Sequence, residues 1–150
     1  LALRFFLYLC VAMIQRIQSI YLFIVFILSI VQCFYPFASV GEMALGVSNC
    51  VIYAGISVII PLMTIVSIFM FKKRILQMRL CSFNIILMIF QILSMVGYFY
   101  FATTIQETEE YTKQILLVFA LPLVNIILTY LAIRAIGKDE ALVRSLDRLR

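Results

Sequence analysis

The amino-acid sequence contains neither histidine nor tryptophan, and only 13% of its residues are charged. Without histidine, the chain lacks the side chain that most often acts as an acid or base near neutral pH. Without tryptophan, tyrosine must supply the amphipathic aromatic residues that favour a membrane interface. Because soluble domains are about one quarter charged, the scarcity of charge favours the membrane class.

Several motifs that carry chemistry are also missing from the sequence. There is no C-x-x-C pair, which is the usual spacing of reactive thiols. A glycine-rich phosphate loop and a nucleophile elbow are missing as well. We therefore expect no catalytic residue, no bound cofactor and no metal site, and we interpret the protein as a non-enzyme.

Apolar residues dominate what is present: 65% of the chain is hydrophobic, and its mean hydropathy is +1.14. They form four long runs separated by short charged loops, and each run meets the requirement of about 20 residues for crossing a bilayer. The predicted spans are about 17–35, 47–71, 80–103 and 114–136, with a turn at Gly41–Glu42. The sequence thus predicts an all-α, integral membrane bundle of four transmembrane helices over residues 13–137.

The basic residues predict the orientation of this bundle. Eleven of the 12 lysines and arginines fall on one side, and only Lys113 falls opposite. The positive-inside rule then places both termini and the middle loop in the cytoplasm. The net charge of +5 lies in these loops, so it favours contact with anionic lipid headgroups over nucleic acid.

Residues 1–12 precede Met13, which is a plausible initiator. We interpret them as an upstream extension or a start-site artefact. If translated, they should extend the first helix or lie along the inner surface.

The polar residues inside the spans have two possible structural roles. Asn84, Gln91 and Asn125 are expected to hydrogen-bond between helices, and the alternative is that they line a polar pathway. Cys33 and Cys50 fall at comparable depth near the outer ends of spans one and two, so a disulfide between them is conceivable. The competing interpretation treats each cysteine as a small buried hydrophobic residue.

Two cytoplasmic segments are candidate contacts with lipid or a partner. The middle loop contributes Lys72, Lys73, Arg74 and Arg79. After a break at Gly137, residues 138–150 are predicted to form a short amphipathic helix, with Asp139 as a cap and Glu140–Arg144 as a pair four residues apart. Its apolar and basic positions are Leu142, Val143, Leu146, Leu149, Arg144, Arg148 and Arg150. Such a helix would lie on the inner leaflet or dock on a partner.

Three stretches carry a family resemblance: MIQRIQSIYL at 13–22, RILQMRLCSFNIIL at 74–87 and LAIRAIGKDEALVRSLDRLR at 131–150. They resemble an uncharacterised membrane-protein family of Bacteroidota, the domain-of-unknown-function family numbered forty-two ninety-three. The resemblance covers Met13 to Arg150 and is most specific in the tail. It implies four inner-membrane helices, and it brings no activity, cofactor or catalytic residue.

Three functional hypotheses follow. The first is a non-enzymatic scaffold or accessory subunit that presents the basic loop and tail to a protein partner or a second copy of the chain. The second is a small oligomeric transporter or channel with Asn84, Gln91 and Asn125 on its pathway. The third is a membrane thiol oxidoreductase that uses Cys33 and Cys50.

Overall fold

The computed structural model describes residues 2–35, 38–40, 43–45, 50–105 and 112–149, with side chains placed for 17–35, 50–101, 104 and 119–149. Most of these residues belong to four helices. They are α1 (Ala2–Phe34), α2 (Val51–Phe69), α3 (Arg74–Ile105) and α4 (Thr112–Arg148). Every helix contains a segment long and apolar enough to cross a membrane. The prediction of four such helices is confirmed, and their length and composition are those of a multi-pass membrane protein.

A short hairpin lies between α1 and α2. Strands β1 (Ala38–Val40) and β2 (Met43–Leu45) pair antiparallel, with Val40 opposite Met43. The hydropathy pattern predicted only a turn in this connection, and Gly41–Glu42 itself lies outside the described residues.

The turn between α2 and α3 is tighter than the sequence predicts. α2 ends where the Met70 N–H bonds to the Val66 carbonyl, and the Lys73 N–H then bonds to the Met70 carbonyl at 3.0 Å. α3 begins at Arg74, earlier than the predicted start at 80. The reason is that residues 74–79 are good helix formers and that Gln77 is buried in the bundle.

The helices pack in a closed ring. α1 contacts α2, α2 contacts α3, α3 contacts α4, and α4 returns to α1. Sequence neighbours are antiparallel. Cys33 at the end of α1 contacts Ser57 of α2, and Ser67 near the end of α2 contacts Cys81 near the start of α3. Arg74 at the start of α3 likewise pairs with Asp139 in the last third of α4, which completes the up-down-up-down arrangement of a four-helix bundle.

Buried positions recur along the helices with alternating steps of three and four residues. In α1 they are Gln18, Leu22, Val25, Ser29 and Gln32. In α3 they are Gln77, Cys81, Asn84, Met88, Gln91 and Met95. In α4 they are Pro122, Asn125, Thr129, Ala132, Ile136 and Asp139. This heptad spacing is typical of left-handed helix packing with side chains interlocked along a seam.

The distribution of polarity is inverted relative to a soluble bundle. Half of the buried seam is polar, whereas large apolar side chains such as Phe90, Leu93 and Ile127 are more than half exposed. Water would make such an outer surface unfavourable, while the hydrocarbon of a bilayer accepts it. The bundle is therefore built for an apolar surrounding.

α4 does not break at Gly137. The helix continues without interruption to Arg148, so residues 138–148 belong to the same helix as the last predicted span and do not form a separate helix. Asp139 is accordingly an interior helical residue, and its predicted role as an N-cap is wrong. Ile136 and Asp139, on either side of the glycine, are both fully buried, and this packing outweighs the weak helix propensity of glycine.

The substitution Gly137→Ala tests this continuity. A Cβ at this position would meet only the Met78 sulfur at 3.8 Å, an ordinary contact. We expect Gly137→Ala to raise the free energy of unfolding in detergent by about 0.5–1 kcal/mol, since alanine favours a helix interior. Gly137→Pro is the contrasting variant and should cost about 3 kcal/mol or more. If alanine destabilised the protein as much as proline, a continuous helix at this point would be wrong.

Candidate functional site

The buried polar residues of α2 and α3 pair across the interface. The Asn84 amide donates to the Thr64 hydroxyl at 2.9 Å, and the Gln91 amide donates to the Ser57 hydroxyl at 2.8 Å. One turn closer to the α2–α3 turn, the Ser67 hydroxyl lies 3.3 Å from the Cys81 sulfur. Hydrogen bonds of this kind inside a membrane stabilise by about 0.6 kcal/mol on average, but each fixes the register of the two helices.

α1 and α4 are joined by a weaker polar contact. The Asn125 amide lies 3.4 Å from the Ser29 hydroxyl, and the Thr129 hydroxyl donates to the Asn125 carbonyl of its own helix at 2.7 Å. The structure therefore puts Asn84 and Gln91 in one interface and Asn125 in another. All three side chains are at most 2% exposed, so they face packed neighbours.

The cysteines that the sequence singled out are not joined by a disulfide. The Cys33 thiol donates to the Ser57 carbonyl at 3.1 Å, and Cys50 packs with Tyr53 and Met95 at the end of the bundle remote from the basic turn. Within the described part of the chain, no cluster of three potential metal ligands occurs.

An open groove of about 700 Å³ lies at the end of the bundle where the α2–α3 turn meets α4. We call it the basic groove. Its lining residues are Phe71, Lys72, Lys73, Arg74, Ile75, Leu76, Arg79, Glu140 and Val143. The turn supplies the lysines, the first turns of α3 supply the arginines, and α4 supplies the opposite wall. The structure thus brings all four predicted basic residues of the middle loop to one site.

An ion pair between Arg74 and Asp139 forms the floor of this region. The Arg74 Nε lies 3.3 Å from Asp139 Oδ2, without the geometry of a hydrogen bond, and the side chains are 17% and 0% exposed. A carboxylate removed so completely from water needs a positive partner. The pair therefore joins the start of α3 to the last third of α4.

Sequence reasoning missed this pair because it assigned Asp139 to a detached tail. The heptad spacing of the sequence nevertheless indicates that Asp139 lies on the buried face of α4. Asn125, Ala132 and Asp139 lie seven residues apart, so they fall on the same face of one helix. Extending that stripe past Gly137 would have placed Asp139 inside the bundle.

The basic residues of the tail lie apart from the basic groove. Arg144 pairs with Glu140 through an Nε–Oε1 distance of 3.1 Å, which leaves the Arg144 side chain mostly exposed. Arg144 and Arg148 line a smaller groove of about 420 Å³ along the end of α4, together with Leu149. Arg150 lies outside the described residues.

Comparison with known proteins adds a family but no activity. A family described as a domain of unknown function (DUF4293) matches residues 14–149. The chain belongs to this family. The match includes all four apolar helices and the end of α4, and it confirms the resemblance seen in the sequence. No curated protein and no solved structure shows significant similarity to the chain.

A double-variant cycle measures the coupling of Arg74 with Asp139. Arg74→Met should lower the free energy of unfolding in detergent by about 3–5 kcal/mol, because it leaves a buried carboxylate without its partner. Asp139→Leu should cost less, since Arg74 reaches the surface. The double variant should recover most of the loss caused by Arg74→Met, because neither charge then remains.

Lys73→Met is the control for this cycle. Its side chain is exposed, and we expect a change within about 0.5 kcal/mol. Purely additive losses in the double variant would contradict a coupled pair.

Proposed function

We propose that the chain is a non-enzymatic scaffold or accessory subunit of a bacterial inner membrane, with both termini in the cytoplasm. Its role is to present the end of α4 to a cytoplasmic protein. The observation that carries this proposal is the continuation of α4 beyond the span, with apolar side chains exposed along it.

Length supports the projection of α4 from the membrane. The helix has 37 residues, which correspond to about 55 Å at a rise of about 1.5 Å per residue. The hydrocarbon core of a bilayer is only about 30 Å thick. A helix that crosses the core and stays straight cannot also lie flat on the inner leaflet, so its continuity favours a protein partner over surface lying.

The exposed face of the projecting segment supports docking. Leu142, Leu146 and Leu149 are 42%, 36% and 85% exposed, and their spacing places them on one side of the helix. Arg144 and Arg148 fall on the other side. This pattern fits a partner with an apolar groove for the leucines and acidic groups at its rim, as in the recognition of amphipathic helices.

The interior of the bundle favours the scaffold over the transporter hypothesis. The side-chain amides of Asn84 and Gln91 donate hydrogen bonds to the hydroxyls of Thr64 and Ser57 on the neighbouring helix. Pro61 and Pro122 lie inside helices that continue on both sides, whereas transporter sites are often built from interrupted helices. These contacts stabilise a packed bundle.

The orientation is tested with reporter fusions. Green fluorescent protein fused after Arg150 should fluoresce, because the carboxyl end is cytoplasmic in this proposal. Alkaline phosphatase fused at the same place should be inactive, whereas alkaline phosphatase inserted at Thr108 should be active. The reverse pattern of activities would refute the proposed topology.

The docking role is tested by co-purification from native membranes in a mild detergent. A triple variant, Leu142→Gln, Leu146→Gln and Leu149→Gln, keeps helix-forming residues but removes the apolar face. The control carries Asp147→Gln, an exposed position that points away from the three leucines on the same helix. We expect one cytoplasmic protein to co-purify in constant ratio with the wild type and the control, and to be lost from the leucine variant.

A synthetic peptide of residues 138–150 should displace that protein. The proposal fails if the leucine variant retains the same protein, or if the leucines are needed only for self-association of the chain. In the latter case the occupant of this face is a second copy.

A further inference from the structure

We propose that the basic groove binds the phosphate of an anionic glycerophospholipid, with one lipid in each groove. The inference rests on the proposed membrane location but not on the docking of α4. It assigns a stoichiometric ligand to Lys72, Lys73 and Arg79.

The first argument is an excess of positive charge. Four cations and one carboxylate line the groove. Arg74 is paired with the buried Asp139, and Glu140 is paired with Arg144. Among the residues that the structure describes, Lys72, Lys73 and Arg79 enter no ion pair with an acidic side chain. Three exposed cations therefore converge without a counter-ion.

The second argument comes from the start of α3. The Gln77 N–H bonds to the Lys73 carbonyl at 2.9 Å, so Lys73 occupies the N-cap position. Lysine has no acceptor atom with which to cap the first N–H groups, and these groups carry the positive end of the helix dipole. The backbone and the side chains thus favour the same kind of ligand, an oxyanion.

The third argument is the apolar part of the wall. Phe71, Ile75 and Leu76 line the same groove and are 50%, 45% and 37% exposed. A small soluble phosphate would leave these side chains uncovered. The glycerol backbone and the start of an acyl chain would cover them, and a volume of about 700 Å³ lies within the usual range for ligand sites of about 300–1,000 Å³.

The depth of the groove agrees with a lipid headgroup. The apolar segment of α2 ends at Phe69, and that of α3 begins at Arg74. The lysines therefore lie where the hydrocarbon gives way to headgroups, the zone in which basic residues attract anionic lipids. Three unpaired cations favour a lipid whose phosphate is not balanced by a positive charge in its own headgroup, such as phosphatidylglycerol, over the zwitterionic phosphatidylcholine.

Calorimetric titration of the purified full-length chain in a mild detergent tests the proposal. The three probes are short-chain phosphatidylglycerol, short-chain phosphatidylcholine and glycerol 3-phosphate. We expect phosphatidylglycerol to bind with a stoichiometry of one and to raise the melting temperature, whereas the other two probes should bind much more weakly. Phosphatidylcholine lacks the net charge, and glycerol 3-phosphate lacks the apolar part.

Two triple variants with equal loss of charge separate a site from general attraction. Lys72→Gln, Lys73→Gln and Arg79→Gln together should weaken phosphatidylglycerol on the order of 100-fold, given the typical contribution of each basic residue at an anionic surface. Arg134→Gln, Lys138→Gln and Arg148→Gln together should change the affinity by no more than about twofold, because these residues lie outside the groove. All six side chains are exposed, so the melting temperature without lipid should be unaffected and serves as the check on folding.

The other outcomes each overturn the proposal. Equal weakening in both variants would mean attraction by net charge alone. Equal binding of phosphatidylcholine would mean that the groove selects only apolar chains, and tight binding of glycerol 3-phosphate would make the ligand a soluble phosphate. Failure of all three probes to bind would refute a phosphate site in the groove. None of these results depends on whether the leucine face of α4 has a partner.

Discussion

Polar side chains within apolar helices constrain this bundle more than any other feature. Hydrocarbon offers them no hydrogen-bonding partner, so each must find one on its own or a neighbouring helix. The amide N–H groups of Gln91, Asn84 and Asn125 meet that requirement at Ser57, Thr64 and Ser29 of neighbouring helices. The amide oxygens of Asn84 and Asn125 have no hydrogen-bond partner among the described residues. Apolar packing between helices in lipid has little hydrophobic driving force. The polar pairs therefore decide how each helix is rotated and at which height it meets its neighbour.

The ion pair of Arg74 with Asp139 gives a buried polar group its partner at the end of the bundle. Asp139 is the last buried position of the α4 stripe, and only a cation can balance it there. Its partner is the first residue of α3, so the pair closes the α2–α3 turn against α4. The basic groove lies at this closure, with the lysines of the turn on one wall and Glu140 of α4 on the other.

The end of α4 links the two surfaces for which we propose ligands. Glu140 and Val143 line the basic groove, and Leu142 and Leu146 lie on the projecting face only a residue or a turn away. Glu140 also forms an ion pair with Arg144. Because one rigid helix carries both surfaces, a lipid in the groove and a protein on the leucine face would be positioned relative to each other by α4 itself.

The sequence by itself determined the number of spans, since hydropathy and loop charge are properties of a single stretch of chain. The uncharged runs around Phe23, Leu62, Phe90 and Ile127 predict the four helices that the structure contains. The same patterns also single out Asn84, Gln91 and Asn125 as the polar residues of the interior, because an amide within an apolar run is conspicuous without any knowledge of its neighbours.

Only the tertiary structure decided the partners of those residues and the shape of the basic end. Which hydroxyl Asn84 meets depends on the register of α2 against α3, and register is a relation between distant segments. Local propensity at Gly137 favoured a break, but packing of Ile136 and Asp139 kept α4 continuous. A short-range signal cannot show that a carboxylate in a charged tail lies beside an arginine some 65 positions earlier, because that contact exists only when the helices are assembled.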